Sequence, residues 1–182
     1  CEELQKKNTT FVFVYGASQS GKSCFLVSLL NHMSKDTGAR LEPTNLDEKR
    51  PDHILLEGMI EKIEDGILPK PTQARTVYEL GFSYTPIKPK IPAKFTFLEM
   101  SGENIEQVHL SKTTFGKLPA FVDRYLDCPT INIFFIMVVP FDAGDKGEIS
   151  WAKVDRNALS FISYIKSKSE NFDAANLLLL VS

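Results

Sequence analysis

Unbroken apolar runs, separated by longer mixed stretches, are the main pattern of this chain. Four such runs stand out, at Phe11–Tyr15, Phe95–Leu98, Ile131–Val139 and Leu177–Val181. Continuous apolar runs of this length are typical of parallel strands that are buried on both faces. Their alternation with helical or irregular stretches predicts an α/β fold with a mostly parallel central sheet and helices on both faces.

Helices are predicted in the stretches between these runs. Apolar residues recur at helical spacing over Trp151–Lys168 and along one side of His53–Glu64. A helix is also predicted over Ser23–Leu30, packing back on the first strand. A shorter one is predicted over Leu118–Leu126, where Pro119 suits the first helical turn.

One further strand and a long excursion complete the predicted order. A less regular apolar alternation over Thr76–Tyr84 predicts an edge strand, which would pair antiparallel with Phe95–Leu98 through the proline-rich turn Pro86–Pro92. The stretch Lys35–Pro71 is interpreted as an insertion in which polar loops flank the His53–Glu64 helix. Residues 1–182 are expected to form a single domain, cut short at its C-terminal end.

Composition narrows the classes of protein. A hydrophobic fraction of 43% and a charged fraction of 24% are ordinary for a globular domain. The net charge of −2, without a tail of single-sign charge, predicts no electrostatic footprint for nucleic acid or an anionic membrane, and no apolar run is long enough to span a bilayer. The charged start, without a signal peptide, is expected to lead straight into the first strand. Cys1, Cys24 and Cys128 have no metal-like spacing. Cys24, on a predicted helix, and Cys128, before a predicted strand, are expected to be buried free thiols, which favours a cytoplasmic, reducing location.

The strongest motif lies directly after the first predicted strand. Residues Gly16–Ser23 fit G-x-x-x-x-G-K-[ST], the phosphate-binding P-loop or Walker A motif, and a helix is predicted to follow. Its glycines let backbone N–H groups surround an anion, Lys22 would reach the outer phosphates, and the Ser23 hydroxyl would ligate Mg²⁺. A chance match in a Gly/Ser loop is the alternative, but the flanking strand and helix favour the P-loop. The expected nucleotide-binding residues are Gly16, Ser18, Gln19, Ser20, Gly21, Lys22, Ser23 and Cys24.

A second segment follows the Phe95–Leu98 strand. The string Glu99-Met-Ser-Gly102-Glu103 resembles the Asp-x-x-Gly motif of Ras-like GTPases. The resemblance implies that Glu99 supports the metal, that the Gly102 N–H senses the γ-phosphate, and that Glu103 positions the attacking water. A plain strand-to-loop turn with an exposed Glu is the alternative interpretation.

A switch I threonine would complete this pattern. Thr72, which precedes the edge strand in a proline-rich segment, is the candidate metal ligand and catalytic residue. Thr76 is the alternative, and Arg75 is a weaker candidate for stabilising charge in the transition state.

Taken together, the chain resembles Ras-like, translation-factor-related P-loop GTPases, and among them the divergent bacterial double-GTPase-like domains. The resemblance implies Mg²⁺, GTP as the nucleotide with ATP possible, and a molecular switch read by a protein effector or regulator. The catalytic residues carried over are Lys22, Glu103 and Thr72, and the metal ligands are Ser23, Thr72 and Glu99. The motif that reads the base would begin at about Ser182, where the chain stops.

Two other functions stay open at this level. A P-loop ATPase or small-molecule kinase would share the Gly16–Ser23 motif, although the Arg-rich lid of a kinase is not evident over Asp142–Ser169. A non-hydrolysing nucleotide-binding scaffold would fit Glu99 and Glu103, two acids that depart from the pattern of the GTPase family. A carboxylate at Glu103, close to the γ-phosphate, disfavours the transition state, so we expect hydrolysis to be slow.

Overall fold

The fold belongs to the α/β class and is built on a six-stranded mixed sheet with the strand order β2-β3-β4-β1-β5-β6. The structure is a computed structural model that describes residues 1–17, 19–44, 57–58, 60–62, 64–67, 77–102, 118, 120–140, 151–168 and 177–181. The strands are β1 (Thr10–Tyr15), β2 (Ala39–Pro43), β3 (Val77–Pro86), β4 (Ala93–Met100), β5 (Ile133–Val139) and β6 (Leu177–Val181).

Parallel pairing dominates the centre of the sheet. Strand β1 pairs in parallel with β4 and β5, and β5 pairs in parallel with β6. Strand β3 runs antiparallel to both β2 and β4. The prediction of an open, mostly parallel sheet is therefore confirmed, including the antiparallel partner of β4.

Helices cover both faces of this sheet, as the apolar pattern predicted. They are α1 (Glu2–Lys6), α2 (Lys22–Ser34), α3 (Ala120–Leu126) and α4 (Trp151–Lys168). The described residues within the predicted His53–Glu64 helix, namely 57–58, 60–62 and 64, are helical. Within the described parts of the chain, no helix has the length and apolar character needed to cross a membrane.

The two faces of the sheet have separate hydrophobic cores, because successive side chains of a strand point to opposite sides. One core contains Val12 and Val14 of β1 and receives Leu26 and Leu30 of α2. The other contains Phe11, Phe13 and Tyr15 of β1 and receives Tyr125 of α3 and Phe161 of α4. All of these side chains are buried, which fixes β1 in the middle of the molecule.

Three sequence-based expectations about local structure are wrong. The predicted edge strand β3 is an interior strand, because β2 lies outside it where polar loops were expected. Strand β2 has only Leu41 to pack, and its residues alternate between half-buried and exposed. The N-terminal residues form the short helix α1 rather than leading straight into β1, and Leu4 anchors that helix in the core.

The cysteines also differ from expectation. Cys1 and Cys128 form a disulfide across 127 residues of sequence, with their Cα atoms 5.3 Å apart, whereas Cys24 is free and half-buried. The disulfide joins α1 to the turn before β5, which sequence spacing alone could not indicate. The expectation that Cys128 is a free thiol is wrong, and the inference of a reducing compartment loses that support.

Candidate functional site

The predicted site lies at one edge of the sheet, where the carboxyl ends of three central strands meet. Parallel pairing places Val14 of β1 opposite Glu99 of β4, and Tyr15 opposite Met137 of β5. The loop that leaves β1 at Gly16 therefore runs between the ends of β4 and β5. Open α/β sheets bind their ligands at this edge.

Close packing of the loop against β5 requires a glycine at position 16. A Cβ added to Gly16 would overlap the carbonyl oxygen of Val138 and would lie 2.7 Å from Ser20 Oγ. Gly21, just before α2, has the left-handed angles φ 80° and ψ 11°, and Gln19 has φ 64°. These positive φ angles bend the chain between β1 and α2, as expected for a loop that turns its N–H groups toward an anion.

Lys22 is the first residue of α2, and its buried side chain contacts the backbone of this loop. Its side chain is only 6% exposed, and its ammonium donates hydrogen bonds to the carbonyl oxygens of Gly16 at 3.2 Å and Ala17 at 2.7 Å. Burial lowers the pKa of Lys22 to about 8, and the negative charge of Glu99 opposes part of that shift. A buried amine with a lowered pKa, held by neutral carbonyl oxygens, is suited to exchange these partners for a stronger anionic one.

A contact between β4 and α2 closes the other side of the site. The Ser23 hydroxyl donates a hydrogen bond to Oε1 of Glu99, whose side chain is 2% exposed. Tyr78 of β3 lies directly across the antiparallel ladder from Glu99. Burial, and next the charge of Glu99, raises the pKa of the Tyr78 phenol. Glu99 is therefore enclosed by α2 on one side and β3 on the other.

These residues suit Mg²⁺ by their chemistry. A serine hydroxyl and a carboxylate in contact present the hard oxygen donors that Mg²⁺ prefers, and the cation normally completes its shell with water and phosphate oxygens. Among the described residues, no group of three or more His, Cys, Asp or Glu side chains forms a metal site on its own. Two protein oxygens fit a metal that is held jointly with a phosphate ligand.

The structure brings part of the predicted site together. Gly102, with its neighbour Ser101, lies buried at the end of β4, and Cys24 lies half-buried in the first turn of α2. Thr72, Ser18 and Glu103 fall outside the described residues, as do the alternatives Arg75 and Thr76 and the chain end Ser182. Their roles stay predictions.

Two positions at this edge were missed by reasoning from the sequence. Val138 contributes a backbone oxygen that excludes a side chain at Gly16, and nothing in its residue type could indicate that role. Tyr78 could have been found, because a two-residue period counted back from Leu80 and Phe82 places it on the same face of β3.

Comparison with known proteins adds a distant structural likeness. No family model and no curated protein matches this chain. The chain is similar to a solved structure of Methanosarcina barkeri Roco2 RocCORdC bound to GDP, with a TM-score of 0.42 and 14% sequence identity. The match covers 96% of this chain and 34% of that one, so this chain spans about a third of its length. A likeness this weak carries no argument about function, which rests on the geometry described above.

Proposed function

We propose that this chain is a P-loop NTPase-type domain that binds a Mg²⁺–nucleoside triphosphate, prefers GTP and hydrolyses it slowly as a molecular switch. The observation that carries the proposal is the buried ammonium of Lys22. It lies within a positive-φ, glycine-containing loop at the carboxyl edge of the sheet. Burying a lysine is costly unless the site gains something from its charge. Binding a triphosphate provides that gain.

Each described residue has a definite task in this proposal. Lys22 leaves the carbonyl oxygens of Gly16 and Ala17 and pairs with the outer phosphates, while the N–H groups of the loop and the start of α2 hold the inner ones. Ser23 and Glu99 would hold Mg²⁺, which supplies charge neutralisation at the phosphates when bound. The hydrogen bond between them keeps both oxygens close together beforehand.

The roles of the other residues in the proposed switch rest on the sequence alone. Gly102, which lies buried after Glu99, would offer its backbone N–H to the γ-phosphate. Thr72 would complete the metal site and Glu103 would hold the attacking water. The preference for GTP over ATP is supported by the resemblance of residues 99–103 to the Ras-like motif. A protein effector that reads the loops near Thr72 and Glu103 is part of the same proposal.

Thermal unfolding with GTP, GDP and ATP, each with and without Mg²⁺, tests the binding proposal. A nucleotide present at a hundred times its dissociation constant should stabilise the fold by roughly 2.7 kcal/mol. We expect a Mg²⁺-dependent rise in Tm with GTP that is lost in Lys22→Ala and kept in Lys94→Ala, which removes an exposed lysine at the other end of the sheet. No shift with any nucleotide would contradict the proposal, and a shift with ATP alone would support a P-loop ATPase or kinase.

Hydrolysis needs a separate measurement, because a scaffold that binds nucleotide without turnover would give the same thermal shift. The direct contact of Glu99 with Ser23 brings two candidate oxygen ligands together but says nothing about the attack of water. Single-turnover cleavage of bound GTP distinguishes the two. Slow cleavage supports the switch, and complete retention of GTP supports the scaffold.

A further inference from the structure

The edge of the sheet opposite the loop at Gly16 carries a separate surface. Residues 87–92 form the turn between β3 and β4, and this turn lies at the amino end of β4. Parallel pairing of Thr10 with Phe95 places the same end of β4 beside the start of β1. The backbone N–H of Ile87 donates to the carbonyl oxygen of Gly38 at 2.9 Å, which ties the turn to the chain before β2. We call residues 86–94 the basic hairpin.

The charge of the basic hairpin is of one sign. From Leu80 to Leu98 the sequence contains three lysines and neither Asp nor Glu. All three lysines are exposed, and in the described parts of the chain none of them forms an ion pair. They are Lys88, Lys90 and Lys94. The whole-chain charge of −2 conceals this local excess, because the acidic residues lie elsewhere along the sequence.

Two exposed apolar side chains lie next to these lysines in the sequence. Ile87 is 54% exposed and Ile91 is 69% exposed, in the order Pro-Ile-Lys-Pro-Lys-Ile-Pro from residue 86 to residue 92. Two isoleucines exposed on one short turn, each next to a lysine, differ from the scattered apolar exposure of an ordinary surface. They give the hairpin an apolar tip that is flanked by lysines, while the nearby carboxylate of Asp36 accepts a hydrogen bond from the Tyr84 hydroxyl at the base of the hairpin.

A polar cavity opens at the base of the hairpin. It has a volume of about 400 Å³ and is lined by Asn8, Thr9, Thr10, Pro92, Lys94 and Asn132. Lys94 is the cationic residue among those that line the cavity, and the other polar groups of the lining are the hydroxyls of Thr9 and Thr10 and the amides of Asn8 and Asn132. This chemistry suits a phosphate group that enters from outside. The lining offers no apolar groove for Ile87 or Ile91, so the apolar tip must find its partner elsewhere.

We propose that the basic hairpin docks the protein on an anionic phospholipid surface. A bilayer provides both partners in the required order, a layer of negatively charged phosphates and hydrocarbon directly beneath it. Ile87 and Ile91 enter the hydrocarbon boundary, Lys88 and Lys90 contact the surrounding headgroups, and a headgroup phosphate enters the cavity at Lys94. The proposal does not depend on nucleotide binding, since the two sites lie at opposite ends of β4.

Sedimentation of the chain with vesicles tests this proposal. The vesicles are phosphatidylcholine alone, or phosphatidylcholine mixed with phosphatidylserine. We expect binding to the mixed vesicles only. The triple change Lys88→Gln, Lys90→Gln and Lys94→Gln should weaken it roughly a hundredfold, from a contribution of about 1 kcal/mol per lysine near such a surface. The double change Ile87→Ser and Ile91→Ser should weaken binding about tenfold or more.

A matched control comes from α4, where Leu159 is 62% exposed and Lys166 is exposed. The double variant Leu159→Ser and Lys166→Gln makes the same kinds of change on another surface and should bind the mixed vesicles as the parent does. Unfolding midpoints of all variants establish that they are folded. Because the hairpin side chains are exposed, we expect little change in those midpoints.

Four outcomes would overturn the proposal. The first is equal binding to neutral and anionic vesicles, and the second is full binding by the triple lysine variant. The third is binding of soluble glycerophosphoserine with the affinity measured for vesicles and no effect of the isoleucine changes, which would mean a phosphate site only. The fourth is binding of polyglutamate without binding of vesicles, which would assign the hairpin to an acidic protein partner.

Discussion

The two ends of the central sheet use lysine in opposite ways. At the carboxyl edge, Lys22 is buried and its ammonium is held by backbone carbonyl oxygens. At the amino edge, Lys94 is exposed and has no ion-pair partner among the residues that the structure describes. A buried lysine is costly and must be matched to one geometry, whereas exposed lysines act together through a shared field. The first arrangement suits a specific small anion and the second an extended anionic surface.

The two edges also differ in how closely their backbone is packed. The carboxyl edge depends on glycines where the chain approaches β5 and turns into α2. The amino edge has a hairpin with three prolines, at positions 86, 89 and 92, which restrict φ without close packing. Substitutions should therefore be far less tolerated at Gly16 than on the hairpin.

The largest effect is expected from Gly16→Ala. The new Cβ would overlap the carbonyl oxygen of Val138, so β1 and β5 must separate or the loop must move. We expect a loss of about 2–3 kcal/mol in the free energy of unfolding, measured by chemical denaturation. Gly58→Ala is the control, because nothing lies within 4 Å of its added Cβ and the position is helical. Equal stability of the two variants would contradict the close approach.

The next effect concerns Glu99. Glu99→Gln keeps the size of the side chain and removes its charge beside Ser23, so Mg²⁺ should strengthen nucleotide binding about tenfold less than in the parent. Glu99→Asp keeps the charge but shortens the reach to Ser23 and should give an intermediate value. The measurement is the Kd for GTP over a Mg²⁺ series, with the exposed Glu42→Gln as control. An unchanged Mg²⁺ dependence in Glu99→Gln would remove Glu99 from the metal site.

A change of pH is expected to have a smaller effect on nucleotide affinity. Because the pKa of Lys22 is about 8 in the folded protein and bound phosphates favour the ammonium, nucleotide binding takes up a proton above pH 8. Affinity should fall as pH rises past 8, by no more than about tenfold per unit. Calorimetric titrations in buffers of different ionisation enthalpy measure this proton uptake. In Lys22→Arg the cation stays charged, so the dependence arising from this group should disappear.

Without nucleotide, the free energy of unfolding should rise with pH, whereas the nucleotide affinity falls. The unfolded chain holds the Lys22 proton up to its ordinary pKa of 10.5, whereas the folded protein releases it near 8. The unfolded state therefore binds more protons between these values, and the free energy of unfolding rises with pH across that window. Denaturation at several pH values compares the parent with Lys22→Ala, in which this rise should be missing. A parallel dependence in both proteins would contradict the lowered pKa.

The smallest effect is expected at the ion pair between Lys7, which directly follows α1, and Glu79 of β3. Lys7 pairs with Glu79, but the Lys7 side chain is 39% exposed and Glu79 also accepts a hydrogen bond from the Tyr125 hydroxyl at 2.8 Å. Lys7→Ala should cost less than about 1 kcal/mol of stability, because such pairs are screened by solvent. Nucleotide affinity should not change. A loss well above that figure in denaturation would show that this ion pair is a main support of the fold.

The sequence predicted the carboxyl edge better than the amino edge, for physical reasons. The Gly16–Ser23 loop is short, and its glycines are required by close packing and backbone conformation, so the motif could be recognised from the sequence. Strand β1 and helix α4 were readable because burial on both faces and helical spacing leave clear patterns. The contact of Ser23 with Glu99 follows from the parallel pairing of β1 with β4, which brings the ends of both strands to the same edge of the sheet.

Other features depend on contacts between distant parts of the chain. Strand β2 gains its place by pairing with β3, since Ala-Arg-Leu-Glu-Pro alone has one large apolar residue. The disulfide joins residues 127 positions apart, which no local pattern indicates. The basic hairpin was predicted only as a turn. Its charge indicates a binding surface only once the neighbouring residues in the fold are known.

Hydrogen–deuterium exchange of the chain with and without Mg²⁺ and GTP tests the central claim most directly, because it reports both edges in one experiment. We predict slower exchange of backbone amides in the segment Gly16–Cys24 when nucleotide is bound, and unchanged exchange in the basic hairpin, residues 86–94. Lys22→Ala should show no protection in either segment. Unchanged exchange at Gly16–Cys24 under saturating nucleotide, or protection confined to the hairpin, would contradict the assignment of the nucleotide to the carboxyl edge.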